Sequence, residues 1–331
     1  MTKIKTSWAL VSVGWGQSAL AHSCGWISLG IAAVFCLSYA PAIQAQELSV
    51  TIRVLPQAPA RVLIEGNCPP TKVWSFQDIY AGVMNLGTRV SGMQLFDATG
   101  VEIQTRQIAP GQYTAAQPAS RFRYEMNLDP PARASDTAFV SWLSADRGVL
   151  TLADLLPTAN SSAEKRADST PVSVKANRDV VSRQATVRLS LPEGWAAYSN
   201  ESQSGQNDFR VPNVDRAVFA VGKHLRVSRT TVSKTALSIV TDGEWAFTDT
   251  DAVEMAATVL KSHQDVFGAR PADHVTLILF PFPQTAAADR WSAETRGSTV
   301  NLLMGKLPSK TAALAQLSVP MTHELFHPWV P

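Results

Sequence analysis

Near the end of this 331-residue chain stands Met321-Thr322-His323-Glu324-Leu325-Phe326-His327, two histidines four positions apart with a glutamate directly after the first. This spacing constrains local structure strongly. On an α-helix, residues i and i+4 lie one above the other, so both imidazoles face one point while the carboxylate stands on the adjoining flank. The pattern predicts a helix with His323 and His327 aimed at one metal ion, zinc by donor type, and Glu324 beside it. A polar stripe on an ordinary amphipathic helix is the other way to read the same letters.

Zinc held by such a pair acidifies a bound water and polarises a carbonyl oxygen, and a neighbouring carboxylate takes the water's proton. The residues therefore point to hydrolysis, with Glu324 as general base. A hydrolytic zinc site uses three protein ligands and leaves one position to water. The usual third ligand, a carboxylate on a later helix, would fall past Pro331. The chain accordingly reads as the front part of a metallopeptidase acting on peptides or proteins.

At the other end, residues 1–45 carry Lys3 and Lys5, no acidic residue, an apolar run from Trp26 to Ala40, and then Pro41-Ala42-Ile43-Gln44-Ala45. This has the form of a secretory signal cleaved before Gln46, and implies a secreted or periplasmic protein. The rival is an uncleaved anchor, but the apolar run is shorter than the roughly 20 residues a span needs, so no stable membrane span is expected after cleavage. Loss of two lysines from 29 basic residues leaves 27 against 27 acidic ones, a balance that offers nothing to nucleic acid. Of Cys24, Cys36 and Cys68 only the last survives cleavage, so no internal disulfide is expected and stability must come from core burial.

From residue 46 to 222 the pattern is that of a β domain. Leu48–Val54, Arg121–Met126 and Ala185–Leu191 alternate with period two between turn residues. Residues 158–183 are polar and read as a long surface loop. Asn160-Ser161-Ser162 and Asn200-Glu201-Ser202 are glycosylation words if the export route is eukaryotic. From 223 to 331 the character changes. Thr248-Asp249-Thr250-Asp251 supplies helix-starting caps, and Val253, Ala256, Leu260, His263 and Phe267 form a helical stripe ending at Gly268, with His263 read as a core histidine. His274–Phe280 is a nearly continuous apolar run, the mark of a strand buried on both faces. Ser298–Leu303 reads as a strand, Ala312–Leu317 as a short helix, and the histidine motif as a further helix capped by Ser318, with Pro320 in its first turn.

Strand, strand and then this motif helix resemble the thermolysin-like zinc metallopeptidases, and further details are similar to the glycyl-aminopeptidase family. Leu191-Pro192-Glu193-Gly194-Trp195 resembles that family's Leu-Pro-x-Gly-Trp segment, Val266-Phe267-Gly268 its helix-ending Phe-Gly, and Ala293–Val300 its substrate strand Gly-Gly-Leu-Glu-His-x-x-Ser-Thr-Val. The resemblance implies a β domain followed by the first part of an α+β thermolysin-like metallopeptidase domain. It implies an exported aminopeptidase, truncated at its C-terminus, with zinc on His323 and His327, Glu324 as base, and Glu294 holding the substrate's free α-amine. In that family a later helix brings the third ligand and packs on the motif helix, so the fragment is expected to be inactive alone, with Leu325, Phe326 or Trp329 exposed and the tail from about Thr230 labile. The chain departs from the family at Trp291 and Ser292, where paired glycines stand, at Thr295 in place of histidine, and at Pro328, which must end or kink the helix beside the second ligand. The competing reading is a non-catalytic β-domain protein, binding or structural, that has lost its site.

Overall fold

A computed structural model describes residues 47–56, 60–159, 183–269 and 271–329. The signal-like segment and most of the 158–183 loop lie outside them. The described chain is mostly β-sheet with few helices, arranged as three sheets.

The first sheet has ten strands. Leu48–Val54 lies near its middle, with Val50, Ile52 and Val54 buried and the residues between them turned outward, as the alternation demands. It pairs antiparallel with Arg61–Ser75 and parallel with Ala185–Ser190. Arg61–Ser75 in turn pairs with the long strand Gln112–Asn127. Their register shifts around Asn67–Val73, where Pro69 and Pro70 have no N–H to give the ladder. The face between these long strands carries Trp74, Phe76, Phe122 and Tyr124 in mutual ring contact. Cys68 is a buried free thiol.

The second sheet has four strands: Ala196–Tyr198, Val218–Gly222, Arg147–Thr151 and Trp142–Leu143. It is apolar on both faces because both are covered. Leu143, Leu150, Phe219 and Val221 join the core of the first sheet. Trp142, Val149, Val218 and Ala220 pack instead with Val240, Ile278, Phe280 and Leu303 of the third sheet. Val218–Gly222 is consequently buried at every position.

The third sheet runs in the order Arg226–Val232, Thr235–Thr241, His274–Pro281, Thr299–Met304 and Trp291–Arg296. Its three central strands are parallel and its two edge strands antiparallel. Helix Asp249–Phe267 makes the crossover between the first two parallel strands. Thr248 and Asp251 close a reciprocal capping box at its start, and Gly268, at φ 68°, ends it in the left-handed conformation that glycine adopts without strain. The stripe turned inward is Ala252, Ala256, Leu260 and Gln264, rotated from the one expected, and Phe267 is exposed. A second helix, Lys310–Glu324, covers the same face through Ala313, Leu317, Met321 and Leu325. Among the described residues no helix is long and apolar enough to cross a membrane.

Candidate functional site

The histidine motif ends the helix Lys310–Glu324, which starts at Ser309, whose hydroxyl accepts from the Ala312 amide at 3.2 Å. The sequence suggested two helices here, and there is one. The Ser318 hydroxyl donates back to the Ala315 carbonyl instead of capping, and Pro320 lies inside the helix. The proline removes one backbone bond, but the continuous apolar face of Ala313, Leu317 and Met321 keeps the segment on the sheet.

Beyond Glu324 the chain tightens into three-residue turns, Phe326 N–H to His323 O and His327 N–H to Glu324 O, both at 3.2 Å. Pro328 explains the change, since it has no N–H with which to continue an α-helix. His327 therefore lies past the helix, yet the turn brings its Nε2 to 3.3 Å from His323 Nε2. His323, Glu324 and His327 offer ligand atoms within 4.8 Å of one another. The apolar residues in and just after the motif are buried or half-buried, contrary to expectation. Leu325 is fully buried, and Phe326 and Trp329 pack with His263 and Phe267 from the end of the crossover helix, with Trp329 Nε1 donating to Ala269 O at 3.0 Å. His263 belongs to this aromatic group.

Glu324 is 5% exposed, and Thr295 donates to its Oε2 at 2.7 Å. A buried carboxylate needs such a partner because water cannot reach it freely. Thr295 comes from the edge strand Trp291–Arg296, which turns back through Gly297 at φ 59° into Thr299–Met304. The segment compared with a single substrate strand is thus one edge strand, a tight turn and the start of its neighbour. Alternation along the edge strand sends Ala293 and Thr295 toward the motif helix, and Ser292, Glu294 and Arg296 toward the β part.

Glu294 accepts a hydrogen bond from the Tyr80 hydroxyl and lies 3.9 Å from Arg296 Nε, while the Arg296 guanidinium sits 4.2 Å from the centroid of the Tyr80 ring. Burial, and then the bond to Glu294, push the Tyr80 phenol up to about 12, so it remains a donor. Tyr80 is presented by a tight turn with Ala81 and Gly82 at positive φ. The structure thus brings together the three motif side chains and Thr295, and joins Glu294 to Tyr80 and Arg296 on the opposite face of the strand. Sequence reasoning missed Tyr80, Arg296 and the role of Thr295. Tyr80 and Glu294 are 214 positions apart, and no local pattern announces their contact.

A cavity of about 610 Å³ is bordered by Tyr80, Thr295, Arg296 and His327, and a second of about 300 Å³ by Glu201, Arg216 and His327. The donor set fits a zinc ion as far as it goes. Two imidazole nitrogens at about 2.05 Å from a tetrahedral zinc lie roughly 3.3 Å apart, which is the separation of His323 and His327.

No protein-family model matches the chain, and no curated protein matches it. Among solved structures it is similar to the crystal structure of an aminopeptidase N family protein from Idiomarina loihiensis. The TM-score is 0.67 at 12% sequence identity, covering 85% of this chain and 47% of that one. The chain thus spans about half the length of that structure. At this identity the likeness is one of fold, and the fold is aminopeptidase N-like.

Proposed function

We propose that the protein is an exported, zinc-dependent metallopeptidase of the aminopeptidase kind, built on a thermolysin-like arrangement of the third sheet and its two helices. The observation that carries the reading is the pair of Nε2 atoms 3.3 Å apart with a buried carboxylate beside them. His323 and His327 would hold the metal, which when bound supplies a Lewis acid for a carbonyl oxygen and a water of lowered pKa. Glu324 is the proton acceptor, kept in one orientation by Thr295. Glu294 holds a peptide's α-ammonium through the oxygen that Tyr80 leaves open. The motif provides two imidazoles where a hydrolytic site uses three protein ligands, so the reading calls for one further donor. A second reading, a binding or structural β protein without catalysis, draws support from the engagement of Glu294 by Tyr80 and Arg296.

Zinc titration by equilibrium dialysis separates the two. The expected result is one zinc per chain, lost in His323→Ala and His327→Ala and kept in Glu324→Gln. Where peptide hydrolysis is measurable, Glu324→Gln lowers it by about 10²–10⁴-fold, and acetylated peptides are poorer substrates than free ones. Zinc binding indifferent to both histidines would sink the peptidase reading.

A further inference from the structure

His327 also borders the smaller cavity, where two opposite charges stand without partners. Glu201 is half-buried, and among the described residues its carboxylate makes no hydrogen bond or ion pair. Burial alone pushes its carboxyl up to about 7. The guanidinium of the exposed Arg216 likewise makes no hydrogen bond or ion pair among the described residues. Its stem rests against the hairpin turn, where a Cβ added at Gly297 would lie 3.3 Å from its Cδ.

The frame around these charges is fixed. Asn200, next to Glu201, gives its amide to the Ser298 carbonyl at 3.3 Å and to Thr299 Oγ1 at 3.1 Å, and accepts from the Thr276 hydroxyl. Pro212 and Pro271 form stiff parts of the wall.

An unpaired, half-buried carboxylate costs folding energy, and perturbed groups of this kind cluster where a ligand brings the missing charge. A cation alone would meet Arg216, and an anion alone would meet Glu201. At about 300 Å³ the cavity stands at the lower end of ligand-site sizes, roughly 300–1,000 Å³. We infer that this cavity binds a small zwitterion, a free amino acid or a dipeptide, with its ammonium on Glu201 and its carboxylate on Arg216. The choice of ligand class rests on the peptidase reading, whereas the charges that bind it do not. The inference adds a second carboxylate to the amine-binding question, since one oxygen of Glu294 is already occupied.

Calorimetric titration of the full chain tests this, with a chelator present so that metal plays no part. The probes are alanine, alanylalanine, N-acetyl-alanylalanine and alanylalanine amide. Alanylalanine or alanine is expected to bind, the tighter of the two fixing the length of the ligand. Acetylation should weaken the dipeptide at least about tenfold, since it leaves the half-buried Glu201 carboxylate unpaired, and amidation should weaken it less, because Arg216 is exposed to water. Glu201→Gln should weaken alanylalanine while leaving the acetylated form unaffected, and Arg216→Gln should do the same with respect to the amide. Equal affinities for the parent and both blocked forms, variants that bind as the wild type does, or no binding of any probe would overturn the inference. A chain that binds zinc and cleaves peptides but ignores both substitutions keeps the peptidase reading and loses this one. Binding with the expected pattern in a chain that takes no zinc does the reverse.

Discussion

Thr295→Val removes one hydroxyl and keeps the side chain's shape, so it deletes the short bond to the buried Glu324 carboxylate together with a longer one, at 3.2 Å, to the Glu324 backbone carbonyl. The 2.7 Å contact is the hydrogen bond that the structure gives Oε2, and at 5% exposure water cannot replace it. A hydrogen bond to a charged group contributes about 1.5–3 kcal/mol. Taking ~2 kcal/mol for this one, the melting temperature should fall by about 3 °C in a chain of this size. Chemical denaturation with a chelator present measures it directly. Thr295→Ser, which keeps the donor, should lose far less. In a Glu324→Gln background the cost of valine should shrink, because a neutral amide loses less than a carboxylate when its donor goes, and the difference is the coupling energy. A valine variant within about 0.5 kcal/mol of wild type, or a serine variant as unstable as the valine one, would show that the bond contributes nothing and that the β-methyl packing is what matters.

Two further outcomes are expected. Glu201 titrates near 7 in the folded chain against an ordinary value near 4.5. Because its folded pKa is raised, its contribution to stability is fully present below about 4.5 and is lost as pH rises through about 7. Glu201→Gln should therefore gain on wild type across that window, by roughly 1–2 kcal/mol once the full linkage value is discounted for a carboxyl still partly open to solvent, and a constant gap from pH 4 to 8 would contradict this. Residues 46–222 produced alone should be molten or aggregated. Separation bares Trp142, Val149 and Val218, at about 1.5–3 kcal/mol each against the typical ~5–15 kcal/mol of a domain, and a cooperative melt of that piece would refute the estimate.

Much of the fold was legible because it is written locally. Strand Leu48–Val54 shows its period in its own letters, and Thr248, Asp251 and Gly268 mark both ends of the crossover helix before any packing is considered. The errors arose where tertiary packing outweighed a local preference. Pro320 and Ser318 look like the opening of a helix, yet the apolar face running from Ala313 to Leu325 holds one helix across them. The inward stripe of the crossover helix was displaced because periodicity counts apolar letters, while the sheet accepts Gln264 and leaves Phe267 to the aromatic group around Trp329.

The labile tail expected from Thr230 followed from the missing later helix, but the tail also meets the β part, through polar contacts as well as through the shared core. Asn301 donates to Ala138 O at 2.8 Å, Gln284 to Thr137 Oγ1 at 2.8 Å, and Ser292 to Ser135 O at 2.7 Å, while Arg147 pairs with the buried Asp242 at 2.8 Å. All but one of these contacts come from residues 135–138, inside the short 3-10 helix Ala134–Phe139. The same segment and the Tyr80 turn lie against one face of the edge strand, and the motif helix lies against the other. Thr295 and Glu294 are neighbours in sequence, but one serves the histidine motif and the other the β part. A site arranged in this way depends on the β part for the position of its edge strand, so a change at Tyr80 or Ser135 can reach Glu324 through a single strand without touching the motif.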